Sequence, residues 1–218
     1  MDELTGQDRL IRVETEQNLR AGLEKAKQVL MSGGLVAFPT ESFYGLAVDP
    51  KDEGAIHRLF IVKKRQDDNP VLLLIPSQEA LHQYVKGIPE IARRLIKIFW
   101  PGGLTMVFEA SPDISPLLTA GTGKIGIRLS SHPVATELAQ TIGGPITGTS
   151  ANISGQPAPI TAGDVLNSLG KEVDLILDGG ETGGGRGSTI LDVTFTPPRI
   201  LRQGMVGLDQ LKEYGITQ

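Results

Sequence analysis

Pro145-Ile-Thr-Gly-Thr-Ser-Ala-Asn-Ile-Ser-Gly155 begins as a short strand and then dissolves into Gly, Ser, Thr and Asn. Those residues fill no core, but they carry hydroxyls, amides and unobstructed backbone N–H groups. A strand end that opens into such a loop presents donors to an anionic group. Taken alone, the stretch reads as a solvated turn. Its neighbours change that reading, because the segments around residues 40–44, 63–65 and 183–189 are as small, polar or basic beside apolar strands.

Outward towards the N-terminus, residues 133–142 carry helical spacing and end at Gly143-Gly144. Lys124-Ile-Gly-Ile-Arg-Leu129 alternates apolar and polar, the mark of a half-buried strand. Residues 104–108 read as another strand behind the stop Trp100-Pro-Gly-Gly103, and 77–85 and 89–99 as two helices. Val71-Leu-Leu-Leu-Ile75 is too short for a globular helix and reads as a central strand. A helix from about Asp52 runs into Lys63-Lys-Arg-Gln-Asp-Asp-Asn69. Leu35-Val-Ala-Phe38 is a buried strand, followed by Thr40-Glu-Ser-Phe-Tyr-Gly-Leu46, a polar loop carrying two aromatics. Residues 14–32 form a helix with Leu19, Leu23, Ala26, Val29 and Leu30 on one face, after a loose start.

Towards the C-terminus, Thr161-Ala-Gly-Asp164 resembles a capping box opening a helix that stops at Gly170. Strands follow at 173–177, 188–193 and 199–202, the last two an antiparallel pair across Pro197-Pro198, and a helix at 208–214 closes the chain. Strands alternate with helices, though not strictly. The expected class is α/β, a single domain built on a twisted, mostly mixed or antiparallel open sheet with helices packed on it.

Composition narrows the function. The chain has 218 residues, a formal net charge of −4, 39% hydrophobic and 21% charged residues, as in ordinary globular proteins. Any anion site must therefore be a local basic patch in an acidic surface. Cysteine is absent, which excludes disulfides and thiolate chemistry. No apolar run approaches the ~20 residues of a membrane helix. The N-terminus lacks the regions of a signal peptide, so a cytoplasmic address is expected.

Gly121-Thr-Gly-Lys-Ile-Gly126 matches a dinucleotide fingerprint, but a strand rather than a helix follows it, and it is no Walker loop either. Lys63 and Arg65 form either a solvated helix end or an anion clamp, which requires the backbone to leave the helix between them. Thr40 and Tyr44 follow a buried strand, where ligand contacts gather in open α/β sheets. His132, before Pro133, reads as structural. Asp178-Gly-Gly-Glu181 reads as a turn that could face a metal, and Gly183-Gly-Gly-Arg-Gly-Ser-Thr189 as a flap or a close approach of backbone to ligand. No hydrolytic triad or zinc motif is present. Donors and cations without a histidine base point to positioning and charge stabilisation of phosphoryl or nucleotidyl transfer.

Together these residues resemble the YrdC-like family, the threonylcarbamoyl-AMP synthases. The family's Lys-x-Arg and distant Ser-x-Asn stand here as Lys63-Lys-Arg65 and Ser150-Ala-Asn152. Further likeness lies in Pro39-Thr-Glu-Ser-Phe-Tyr-Gly-Leu46, Phe99-Trp-Pro-Gly-Gly-Leu-Thr105, Ile127-Arg128, His132-Pro133, Asp178-Gly-Gly-Glu-Thr182, Ser188-Thr189 and Leu201-Arg202. The resemblance implies a catalytic domain over 14–204 and a short helix and tail over 205–218, without the extra C-terminal domain some relatives carry. It implies a concave anion-binding cavity for ATP, L-threonine and bicarbonate, and a nucleotidyltransferase that makes threonylcarbamoyl-adenylate and pyrophosphate for tRNA modification beside the anticodon.

In that reading Lys63 and Arg65 are catalytic and, with Ser150, Asn152 and Arg202, bind ATP. Thr40, Tyr44, Arg128 and Ser188 hold threonine. Magnesium comes with ATP and has no assigned protein ligand. Partner proteins modify the tRNA, direct tRNA contact is weak or absent, and no membrane is involved. Departures at Gln66, Ser130, Thr147-Gly-Thr149 and Gly184-Gly-Arg186 bear on loop shape. Two other classes stay open: a non-catalytic RNA-binding module using the same basic concavity, and carbamoyl transfer to a different acceptor.

Overall fold

Apolar residues three and four apart build the longest helix, α1 (Glu16–Met31), whose Leu23, Ala26 and Leu30 are buried. Thr15 caps it, its side chain accepting from Asn18 N. The computed structural model describes residues 9–65 and 69–217. Around α1 come β1 (Leu10–Arg12), β2 (Val36–Pro39), β3 (Tyr44–Ala47), α2 (Glu53–Lys63) and β4 (Leu73–Leu74). Next follow α3 (Glu90–Phe99), β5 (Leu104–Glu109), α4 (Pro116–Thr119), β6 (Lys124–Arg128), α5 (Pro133–Ile142), β7 (Ile146–Thr147) and β8 (Thr149–Ser150). The chain continues through α6 (Ala162–Leu169), β9 (Leu175–Asp178), β10 (Thr189–Asp192), β11 (Arg199–Arg202) and α7 (Leu208–Lys212).

The strands make two mixed sheets rather than the single sheet expected. One has the order β1-β9-β2-β3-β8 and the other β11-β10-β5-β6-β4-β7. The break falls at Gly148. Before it β7 pairs antiparallel with β4, and after it β8 pairs antiparallel with β3. A Cβ on Gly148 would stand 2.7 Å from Leu72 Cδ1 and 2.9 Å from Leu74 Cγ, so the crossing needs a residue without one. Thr147 ties the sheets together, its Oγ1 accepting from Val48 N at 2.9 Å.

Other differences have local causes. The supposed polar loop at 40–46 ends in β3, which forms a hairpin with β2 and buries Tyr44 and Leu46. Gly45 lies under the Phe38 ring. The strand expected at 71–75 narrows to β4, inside its sheet between β6 and β7. Residues 77–85 make a 3-10 turn at Glu79–Gln83. At three and four residues, β1 and α4 are too short to show a period. The helix at 133–142, the Thr161–Asp164 capping box and the β10–β11 antiparallel pair match the sequence reading.

Helices α1 and α5 cover one face of the first sheet, closing a core with Val36, Phe38, Leu175 and Leu177. A larger core joins Leu46, Leu59, Leu73, Leu95, Met106, Ile125 and Ile127. Each such fully buried side chain contributes roughly 1.5–3 kcal/mol, so these cores fix the strands that carry the site. No described helix is long and apolar enough to cross a membrane.

Candidate active site on the six-stranded sheet

Period two sorts the six-stranded sheet into faces. On β6, Ile125 and Ile127 enter the core, while Lys124, Gly126 and Arg128 line a cavity of about 690 Å³. On β5, Leu104, Met106 and Phe108 point inward while Thr105 and Val107 join the cavity wall. The register makes rungs across it: Arg202 opposite Ile190 opposite Thr105, and Asp192 opposite Val107 opposite Gly126. The β2–β3 hairpin adds Thr40, Ser42 and Tyr44, and β8 adds Thr149 and Ser150. A cavity of this size suits a small-molecule ligand.

Seven of the nine site residues expected from the sequence line this cavity: Thr40, Tyr44, Arg65, Arg128, Ser150, Ser188 and Arg202. Lys63 and Asn152 do not. The Lys63 side chain is buried, and its ammonium donates to the Ser150 and Asn152 carbonyls. Burial, and secondarily the Arg65 charge, pushes its pKa down to about 7. Asn152 turns its amide into its own loop, Nδ2 donating to Ile153 O at 3.1 Å and Gln156 O at 2.6 Å. The two residues therefore shape the loop that presents Ser150.

The helix does break where an anion clamp requires. Lys64 takes the left-handed conformation, φ 49°, at the C-terminus of α2. Arg65 then reaches the cavity, its Nε and Nη2 donating to Asn69 O and Pro70 O at 3.2 and 2.7 Å. Gln66 lies outside the described residues.

Thr40 and Tyr44 spend their hydroxyls within the protein, Tyr44 also reaching Asp178 Oδ1 at 3.3 Å. Thr40 Oγ1 donates to Phe43 O at 2.7 Å and accepts from Ser42 N and Phe43 N. Tyr44 donates to Gly180 O at 2.8 Å and accepts from Gly179 N. Burial, then the Asp178 charge, raises its phenol pKa well above the ordinary value. Tyr44 thus orders the 178–180 turn, where Asp178 Oδ1 accepts from Gly180 N at 3.0 Å.

Burial, and secondarily the Arg128 charge, lowers the Arg202 pKa. Arg202 Nη2 donates to Ser188 O at 2.9 Å and Ser188 Oγ at 3.2 Å, and the Ser188 and Thr105 hydroxyls lie 2.8 Å apart. The glycine run is anchored rather than loose: Gly184 N donates to Ser42 O at 2.7 Å, and Met205 N to Gly187 O at 2.9 Å.

Sequence reading passed over Lys124, Thr105 and Asp192. Lys124 Nζ pairs with Asp192 at 3.1 Å and donates to Thr194 at 2.6 Å. The alternation of β6, which puts Lys124 on the same face as Arg128, was the signal that could have found it.

The Sua5/YciO/YrdC family profile, described as telomere recombination, matches residues 28–204. The chain belongs to this family. Among its relatives, a threonylcarbamoyl-AMP synthase of Pyrococcus abyssi is 39% identical over 201 residues, covering 90% of this chain and 59% of its own length. One from Bacillus subtilis is 38% identical, covering 87% and 55%. The chain thus spans a little over half the length of these two. The Photobacterium profundum synthase is 35% identical over 184 residues, covering 84% of this chain and 98% of its own.

Solved structures of the Sua5/YciO/YrdC family agree in fold. Pyrococcus abyssi Sua5 complexed with L-threonine superposes with a TM-score of 0.87 at 38% identity, over 94% of this chain and 59% of that one. E. coli YciO superposes at 0.82 with 26% identity, over 92% and 97%.

Proposed function

We infer that this Sua5/YciO/YrdC domain makes L-threonylcarbamoyl-adenylate and pyrophosphate from ATP, L-threonine and bicarbonate. The carrying observation is the convergence of Arg65, Arg128 and Arg202 on one cavity, in a fold shared with a relative solved with L-threonine. Threonine's amine takes up bicarbonate to give a carbamate and water. A carbamate oxygen then attacks the α-phosphorus, forming one P–O bond as the bond to pyrophosphate breaks.

Such a transfer needs alignment and charge neutralisation more than proton shuttling. Arg65 and Arg202 supply positive charge for the phosphates, and Ser150 supplies a donor beside them. Thr40, Arg128 and Ser188 form the amino-acid end. Lys63 and Asn152 hold the Ser150 loop, and Tyr44 holds the 178–180 turn. Magnesium enters as MgATP. Among the described residues no group of three or more His, Asp or Glu is placed to hold a metal. Asp192, the carboxylate in the wall, is paired with Lys124. Magnesium would be held through the nucleotide's phosphates and would supply charge neutralisation there, as is usual for magnesium on nucleotides.

The adenylate goes to partner proteins that modify tRNA in the cytoplasm. Pyrophosphate release across a panel of amino acids, with and without bicarbonate, tests the reading. Release is expected with L-threonine plus bicarbonate and at background without either. Equal release without an amino acid, or release of ADP, contradicts it.

A further inference from the structure

Glu41 belongs to the Pro39–Leu46 motif yet has no role in the reaction as derived so far. It sits on the turn between β2 and β3, in the first sheet, and its carboxylate crosses to the second. Oε1 accepts from Arg128 Nη1, and Oε2 accepts from Ser130 Oγ. The pair is enclosed, with side-chain exposures of 7% for Arg128 and 11% for Glu41. Ser130 in turn fixes the entry to α5, its Oγ accepting from His132 N at 3.2 Å and its carbonyl from Thr136 Oγ1 at 2.8 Å. The turn carrying Glu41 is itself braced by the Thr40 hydroxyl and by Gly184 N on Ser42 O. The groups that locate the Glu41 carboxylate are thus Arg128 in the cavity wall and Ser130 at the entry to α5.

Arg128 Nε is buried and has no partner. A guanidinium presents its donors in a rigid plane, so a carboxylate held on Nη1 dictates where Nε points. The local charge selects the ligand. Glu41 offsets the Arg128 charge, so Arg128 offers an anion less attraction than the cavity's Arg65 and Arg202 do. That complements a monoanionic carboxylate better than a triphosphate, which Glu41 repels.

We propose that Glu41 is a positioning residue: it clamps Arg128 and fixes the guanidinium in the cavity wall for the carboxylate of the amino-acid substrate. The proposal rests on the reading of the cavity as an amino-acid and nucleotide site. It assigns Glu41 the choice of which substrate Arg128 serves.

The test is calorimetric titration of L-threonine and, separately, of ATP into the wild-type chain, Glu41→Gln, Arg128→Lys and the double variant. Gln keeps the size of Glu41 but removes its charge. Glu41→Gln is expected to weaken threonine about tenfold or more, the scale of one lost charge-assisted contact, and to change ATP affinity less than about twofold. Because Glu41 acts through Arg128, the double variant should lose little beyond Arg128→Lys alone. Equal weakening of both ligands, losses that add, or unchanged threonine affinity overturns the proposal. If Glu41→Gln does not fold, Ser130→Ala decides. It removes the restraint on Oε2 alone, and a smaller threonine-selective loss is expected, while unchanged affinity overturns the idea. Pyrophosphate release from the same wild-type sample separates the two levels. An inactive wild-type chain with a threonine-selective Glu41→Gln defect would sink the reaction but keep the clamp.

Discussion

Lys63 grips the Ser150 loop from both ends: its ammonium meets two carbonyls, and its own carbonyl accepts from Ser154 N at 2.8 Å. A neutral amine keeps two N–H donors, so both bonds survive loss of the proton. The folded chain gives up that proton at about pH 7, against an ordinary lysine value of 10.5. Between those values the unfolded chain binds more protons, so stability rises with pH. Denaturant midpoints from pH 6 to 9 should climb more steeply in wild type than in Lys63→Met, and parallel curves would refute the assignment. Arg65 differs, because its guanidinium reaches the cavity. Arg65→Ala should leave the fold intact and lower kcat/KM by about 10²–10³, or ~3–4 kcal/mol of lost charge stabilisation. Steady-state kinetics on the folded variant checks this; unchanged kinetics would make Arg65 a solvated helix end. At this scale the sequence conveyed which residues are polar or charged and near a strand end. It could not convey where Lys63 points, because hydrogen bonds between residues 87 or 89 apart leave no local pattern.

Elements with a clear period were legible: α1, α5, α6 and β6 follow from spacing and caps, and β6 alone orients Lys124, Gly126 and Arg128 onto one face. The division into two sheets was not, since it depends on Gly148 passing against Leu72 and Leu74, which are distant in sequence. The glycine run at 183–187 is an element of a third kind, held at its ends without a ladder of its own. Gly184 and Gly185 adopt φ of +61° and +76°, conformations costly for other residues. Gly187 lies against the Arg202 guanidinium, so a ligand that engages Arg202 also bears on this run. Amide hydrogen exchange at 183–187 should slow when ATP and threonine bind together. Exchange indifferent to both ligands would detach the run from the site.

For the molecule as a whole, two sheets enclose one basic cavity within a chain of net charge −4. Long-range electrostatics therefore disfavour a polyanion at the outer surface, while arginines gathered in the cavity favour a small anion there. Binding of tRNA by this chain alone should be weak and lost as salt rises, and the rate of adenylate formation should not respond to added tRNA. Submicromolar tRNA binding at physiological salt would revive the RNA-binding reading. On the proposed reaction, one cavity joins carbon from bicarbonate, nitrogen from threonine and the α-phosphate of ATP. Mass spectrometry of the products formed from 13C-bicarbonate, L-threonine and ATP tests it most directly. The expected result is a threonylcarbamoyl-adenylate carrying the label, formed in step with pyrophosphate; ADP, or AMP without a labelled adduct, would contradict it.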